Sequence, residues 1–545
     1  MLAKAFLVFS IFVNSASAAP SLAAPTVKLD AGTFTGTTDG ISQRFLGIPF
    51  AQPPVGDLRF RLPVANSPYN GSFSASSFGL SCPQQAIDLP IVSGLAAQAA
   101  DFLANSIFNA IFPDSEDCLT LNVVRPATAT ASSKLPVVVW IFGGGFELGG
   151  TSMYDGGAIV SRSIALNQPV IYVSMNYRLT GFGFLASQEV KDAGVGNLGL
   201  QDQRQALRWV QKYIGQFGGD PTKVTIWGES AGAISVALHM VANNANTEGL
   251  FRAGFMESGS PIPVGDITNG QKYYDFLVKD TGCSGASDTL ACLRTVPYAT
   301  LKASINKTPG IFSFQSLNLA WLPRADGVFI TDAPQKLVQQ GTVANIPYIT
   351  GDCDDEGTLF SLSTLNLTTN AQVIDWAANV FFTGVPSTLV QQVAEAYPED
   401  ITQGSPFGTG ILNALTPQFK RIAAFQGDGV FQAPRRWLLQ NTLPTNPNVW
   451  AFVSKRLKAL PVLGSAHATD ILNVYGGGDM ANYLIHFAAT LNPNSATSFQ
   501  WPKYNLNTRP LLTFLDGLIP LTLTADTYRQ DAMNLLTQLT LAHPI

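Results

Sequence analysis

The chain of 545 residues is 46% hydrophobic and only 13% charged, with a formal net charge of −5. That apolar content can fill a sizeable core, and the absence of any Lys/Arg cluster excludes nucleic acid as an expected partner. Neither a His-Glu-x-x-His nor a paired Cys-x-x-Cys spacing occurs, so no metal and no cofactor are expected.

Residues 1–18 read as a secretory signal: Lys4 is the charged end, Ala5–Val13 the short apolar core, and Ala16-Ser17-Ala18 the small-residue cleavage site. The apolar run is too short to span a bilayer, and no other window reads as a transmembrane helix, so the expected product is secreted and soluble. From residue 19 to 545 no linker, low-complexity tract or repeat divides the chain, which favours one large α/β unit with insertions.

Export makes the five cysteines disulfide candidates. Cys283 and Cys292 suit a small loop; Cys82 and Cys118 would then close a longer one and leave Cys353 as a free, small core residue. Acceptor sequons for glycans stand at Asn70, Asn306 and Asn366.

The excursion 82–118 is punctuated by Pro83, Pro90 and Pro113 and carries few charges. Gln98, Asp101, Asn105 and Asn109, spaced by three and four, form one polar stripe on an otherwise apolar helix. A helix buried on most sides is the plain reading. A hinged lid, apolar face inward in water and outward at an oil surface, suits an excursion tied at both ends better.

Leu135–Phe142 is a continuous apolar run, typical of a buried central strand, and it ends in Gly143-Gly144-Gly145. Three glycines leave backbone amides bare, as an oxyanion site requires. A second such run, Pro169–Met175, leads to Arg178, which needs a partner if buried; Glu116 or Asp117 is the expected one. The amphipathic pattern from Asp202 onward then reads as a helix, and strand–helix–strand with short connections implies a parallel sheet.

Next comes Lys223-Val224-Thr225-Ile226-Trp227, followed by Gly228-Glu229-Ser230-Ala231-Gly232 and a helical pattern. That strand–turn–helix context is what a nucleophile elbow needs, with Ser230 as nucleophile and an oxyanion held by the amides of Gly144, Gly145 and Ala231. A tight structural turn is the alternative.

An activated serine requires a base, and four histidines exist. His239 lies roughly 13 Å along the same helix from Ser230. His486 reads as one position of an amphipathic helix, and His543 sits at the very end of the sequence. His467, in a loop of small residues after a strand-like segment, is the base by elimination. The orienting acid should lie between serine and histidine, where the strand Ile346–Gly351 ends in a carboxylate cluster. Position alone leaves Asp352, Asp354, Asp355 and Glu356 open, with most of them expected to be solvated loop acids.

Phe45–Phe60, Ser115–Val123, Gly143–Phe146, Gly228–Gly232 and Asp355-Glu356-Gly357, in this order, resemble the type-B carboxylesterases and lipases. The likeness runs from near residue 30 to near 500. Within that family it is greatest to secreted fungal lipases and sterol esterases of the Candida rugosa lipase type. The resemblance implies an α/β-hydrolase fold, Glu356 as the acid, and a triad of Ser230, His467 and Glu356. It also implies an oxyanion hole at Gly144, Gly145 and Ala231 and disulfides Cys82–Cys118 and Cys283–Cys292. The expected substrates are long-chain triacylglycerols and sterol esters met at oil–water interfaces, and the charge-poor lid suggests homodimers that bury it. A small-ester esterase would call for a shorter or more polar lid, and a non-catalytic adhesion protein would be expected to lack one of the three residues.

Overall fold

Eleven strands form one sheet: β1 (Thr37–Thr38), β2 (Ser42–Pro49), β3 (Thr120–Pro126), β4 (Leu135–Ile141), β5 (Ile171–Met175), β6 (Gly219–Glu229), β7 (Ala253–Glu257), β8 (Tyr348–Cys353), β9 (Val449–Ser454), β10 (Pro510–Phe514) and β11 (Leu521–Ala525). Their order across the sheet is β11-β10-β9-β8-β7-β6-β4-β5-β3-β2-β1. The run from β10 to β5 is parallel throughout, and the remaining strands join antiparallel at the two edges. These features come from a computed structural model that describes residues 23–90, 92, 95–104 and 113–545. The signal segment 1–18 lies outside the described residues, as do Asn105 and Asn109 of the polar stripe.

Central strands rich in Val, Ile and Trp are buried on both sides because helices cover both faces. Gly254 of β7 faces Val236 of helix Ala231–Ala245, whereas the next residue, Phe255, meets Phe487 of helix Asp479–Thr490. Successive strand residues point to opposite faces, so the two helices lie on opposite sides. The register sets the strand ends level: Ile141 pairs with Gly228, Glu229 with Glu257, Glu257 with Gly351, and Cys353 with Ser454. The loops leaving β4, β6, β8 and β9 therefore converge at one edge of the sheet, where such folds place ligands.

Both expected disulfides form, Cys82–Cys118 and Cys283–Cys292, while Cys353 is a buried free thiol. Of the excursion, helix Ala97–Ala104 buries Ala99 and Leu103 and exposes Gln98 and Asp101, so the described part of the stripe faces outward. Its stem is tied to the glycine loop after β4: Gln84 exchanges two hydrogen bonds with the backbone of Gly149, and the Gln85 amide donates to the Glu147 carbonyl.

The expected partner of Arg178 is corrected. Arg178 pairs with Asp202 in a buried two-pronged bridge (Nε–Oδ2 2.8 Å, Nη2–Oδ1 2.7 Å), and Glu116 instead takes Arg59. The helix begins at Leu198 rather than at Asp202, which carries Asp202 onto its buried face beside Arg178. Removing one member strands a buried charge, so Asp202→Ala is expected to lower stability by about 3–5 kcal/mol, read as a shifted urea midpoint. A change within a few tenths of a kcal/mol would refute this.

Candidate active site

Ser230 sits between β6 and helix Ala231–Ala245 with φ +55° and ψ −124°, a conformation an L-residue adopts only under constraint. The constraint is close backbone packing. A Cβ on Gly232 would lie 1.9 Å from the Ile141 carbonyl oxygen, and one on Gly228 2.4 Å from the Gly232 carbonyl carbon. Nothing larger than hydrogen fits at either position.

The serine, histidine and glutamate singled out from the sequence meet. His467 Nε2 lies 2.7 Å from Ser230 Oγ, and His467 Nδ1 lies 2.5 Å from Glu356 Oε2. All three are buried, with Ser230 the most exposed at 7%. Glu356 Oε1 accepts from the Cys353 amide at 2.5 Å, which fixes the carboxylate with its second oxygen toward the imidazole. Burial pushes Glu356 upward from the ordinary carboxylate range, opposed by Ser258 and by that amide. Burial brings His467 down to about 4, against the pull of Asp470 and Asp352. The ring is thus neutral near pH 7. Its donation to Glu356 through Nδ1 leaves Nε2 free to accept the Ser230 proton.

The four acids left open are separated by their partners, and none is a solvated loop acid, because each is buried. Asp352 bonds Arg435 at 2.8 Å, and Asp354 takes Lys455 and Lys458. Asp355 is a clamp: Oδ1 accepts from Ser405 Oγ and the Phe407 amide, Oδ2 from the Ser465 amide and Lys458. An isolated parallel bridge between Asp355 and Ala466 then sets Glu356 beside His467. Among the other histidines, His239 is buried with Nε2 2.8 Å from Gln203 Oε1, and His486 lies on its helix, Asp479–Thr490.

Gly145 and Ala231 line the same cavity as Ser230, and Gly143 packs so tightly that its Cβ would lie 2.8 Å from Ser230 Cβ. Gly144, at φ +110°, stands between them. The cavity is almost entirely apolar, walled by Ile234, Leu317, Leu319, Phe360 and Phe431 among others. Phe360 and Phe431 also flank the His467 ring, with centroids 5.1 and 4.7 Å away. Its free volume of about 30 Å³ admits little more than water, so a longer ligand needs these side chains to part. Sequence reasoning did not single out Phe360, Phe431, Ser258 or the Cys353 amide, and no local pattern marks them.

Glu229 is fully buried, neither carboxylate oxygen has a hydrogen bond among the described residues, and its Oε1 lies 3.4 Å from His467 Nε2. Burial, then Asp470, Glu356 and Glu257, push it well above the ordinary range. Among the described residues no cluster of metal-ligating side chains occurs, and no helix is long and apolar enough to cross a membrane.

The model of the carboxylesterase family matches residues 23–529. The chain belongs to the carboxylesterase family. It is accordingly a hydrolase of carboxylic esters. The chain is 47% identical to lipase 5 of Diutina rugosa over 498 residues, covering 88% of this chain and 90% of that one. It is 42% identical to a secreted triacylglycerol lipase of Gibberella zeae over 525 residues, 93% of this chain and 89% of that one. Among solved structures, EstA of Aspergillus niger superposes with a TM-score of 0.81 at 28% identity, covering 96% of this chain and 99% of that one. The fold is the α/β-hydrolase fold.

Proposed function

We propose that the protein is a secreted lipase that hydrolyses long-chain triacylglycerols and sterol esters through a Ser230–His467–Glu356 triad. The observation that carries this is the continuous hydrogen-bonded line from Ser230 Oγ through the imidazole to Glu356, opening on an apolar cavity. His467 Nε2 takes the Ser230 proton as Oγ attacks the ester carbonyl, and Glu356 steadies the imidazolium that results. Amides of Gly144, Gly145 and Ala231 hold the oxyanion. The proton passes to the departing alkoxide, the alcohol leaves, and water attacks the acyl-enzyme with His467 again as base, releasing the fatty acid and restoring Ser230. Glu229, whose Oε1 lies 3.4 Å from His467 Nε2, is pushed by burial toward its protonated form and so competes less with Glu356 for the imidazolium.

The apolar cavity, and the names of the lipases to which the chain is similar, support a lipid substrate. The names of the secreted relatives, together with the leader-like residues 1–18, support export. Asn70 and Asn366 are exposed and suit glycan attachment; Asn306 is half-buried, its Oδ1 accepting from the Ala86 amide at 2.9 Å. Homodimers through the lid are expected as a shift in size-exclusion volume that detergent reverses.

The test is hydrolysis of triolein, cholesteryl oleate and p-nitrophenyl butyrate, below and above each solubility limit. Activity rising at the emulsified lipids supports a lipase; turnover of dissolved butyrate alone would overturn that part and keep the triad. The pH profile tests the base. Because burial depresses His467, it stays deprotonated as pH falls through 6.5, so kcat/KM should hold at pH 6 and decline only nearer pH 4. A midpoint near 6.5 would show an unperturbed imidazole.

A further inference from the structure

Beyond the apolar cavity lies a second one of about 330 Å³ whose lining has the opposite chemistry. Arg324, Lys272 and His543 line it and no Asp or Glu side chain does; the α-carboxylate of Ile545, also in the lining, accepts from the Gly265 amide at 2.7 Å. Arg324 is only 3% exposed, and among the described residues its Nη1 meets just the Ala320 and Leu322 carbonyls at 3.5 and 3.3 Å and its Nε has no hydrogen-bond partner. Among the described residues no ion pair reaches Arg324 or Lys272. Most buried arginines are better satisfied: Arg59, Arg178, Arg204, Arg435 and Arg436 each face a carboxylate, Arg421 has two carbonyls and two amide oxygens, and Arg125 bonds Gln43 Oε1 and lies over the Phe45 ring.

A guanidinium taken out of water without a counter-charge costs several kcal/mol, which an arriving anion offsets. Burial already pulls Arg324 down to about 10, and burial together with Arg324 pulls Lys272 below the usual lysine range. The other walls of the cavity include Phe381, Val385 and Ile545. Ile545 also lines the cavity of Ser230, so the two spaces share a wall residue. Its backbone is held there by hydrogen bonds with Pro263 and Gly265 at 2.8 and 2.7 Å.

We propose that this cavity is a second ligand site, taking the carboxylate of a free aliphatic acid against Arg324 and Lys272, with its chain on Phe381, Val385 and Ile545. The choice of a fatty acid rests on the proposed hydrolysis, which would release such acids; the demand for an anion does not. A guanidinium and an ammonium side by side offer a carboxylate charge-assisted hydrogen bonds, whereas an alcohol of the same length gains none.

Calorimetric titration of the Ser230→Ala protein with laurate and with dodecanol, each below its aggregation limit, tests this. Two laurates are expected per chain, one in each cavity, against one dodecanol. Adding Lys272→Gln should weaken one of the two laurates at least tenfold, and Arg324→Gln should abolish it. Should Arg324→Gln fail to fold, Lys272→Gln, at an exposed position, still decides. Laurate binding unchanged by Lys272→Gln, a dodecanol bound equally well in the second cavity, or no laurate bound at all would overturn the proposal. A single laurate that Lys272→Gln removes would keep this site and count against the acyl cavity. Failure of the lipid hydrolysis assays with this binding intact would overturn the proposed function alone.

Discussion

Ser230→Ala should lower kcat by about a millionfold while leaving the fold and the binding of substrate analogues in place. The hydroxyl lies 2.7 Å from His467 Nε2, whereas the Ser258 hydroxyl meets Glu356 at the far end of the relay and not Nε2. His467→Ala should cost about as much, and the double variant hardly more than either alone, because the groups act as one proton-transfer unit. Stopped turnover on p-nitrophenyl butyrate, followed by a long-chain ester, reads all three variants. A Ser230→Ala loss of tenfold or less, or losses that multiply in the double variant, would remove Ser230 from the role of nucleophile. Near-UV circular dichroism separates that outcome from misfolding.

What the sequence made legible follows how local each feature is. The elbow is written in five consecutive residues, because the strained Ser230 needs hydrogen-only neighbours at Gly228 and Gly232, and both demands fall within one turn. The buried strands announce themselves as apolar runs for the same reason. The acid was different. Asp352, Asp354, Asp355 and Glu356 are chemically alike and adjacent, and what tells them apart comes from residues 50 to 111 positions away: Arg435, Lys458, Ser405 and His467. No pattern in the cluster encodes those meetings, and only the family resemblance selected Glu356.

The misplaced partner of Arg178 has a related cause. Asn197, in the left-handed conformation at φ +53°, starts the helix one turn earlier than its amphipathic pattern suggests, and this turns Asp202 inward. The state of Arg324 is not legible in the sequence, because the nearby Asp326 gives no sign of which partners its carboxylate takes. In fact the Asp326 carboxylate is engaged by Asn197 and by the amides of residues 328–330.

Gly144→Ala should lower kcat by about 10²–10³-fold with KM little changed. Gly144 holds φ at +110°, where a side chain is strained, and a Cβ there would lie 2.3 Å from the Leu148 carbonyl oxygen and 2.9 Å from its carbon. Both obstacles are backbone atoms, and the Gly144 carbonyl is itself bound by the Glu147 and Leu148 amides, so the loop has to shift as a unit. Ser230, His467 and Glu356 belong to other loops and keep their hydrogen bonds. The variant therefore separates the proton relay from oxyanion support. An alkyl phosphonate should still label Ser230 in it, more slowly, while ester turnover collapses. If kcat stayed within threefold of wild type, the amides of this loop would not be holding the oxyanion. If KM rose instead with kcat intact, the loop would be a wall of the substrate cavity and nothing more.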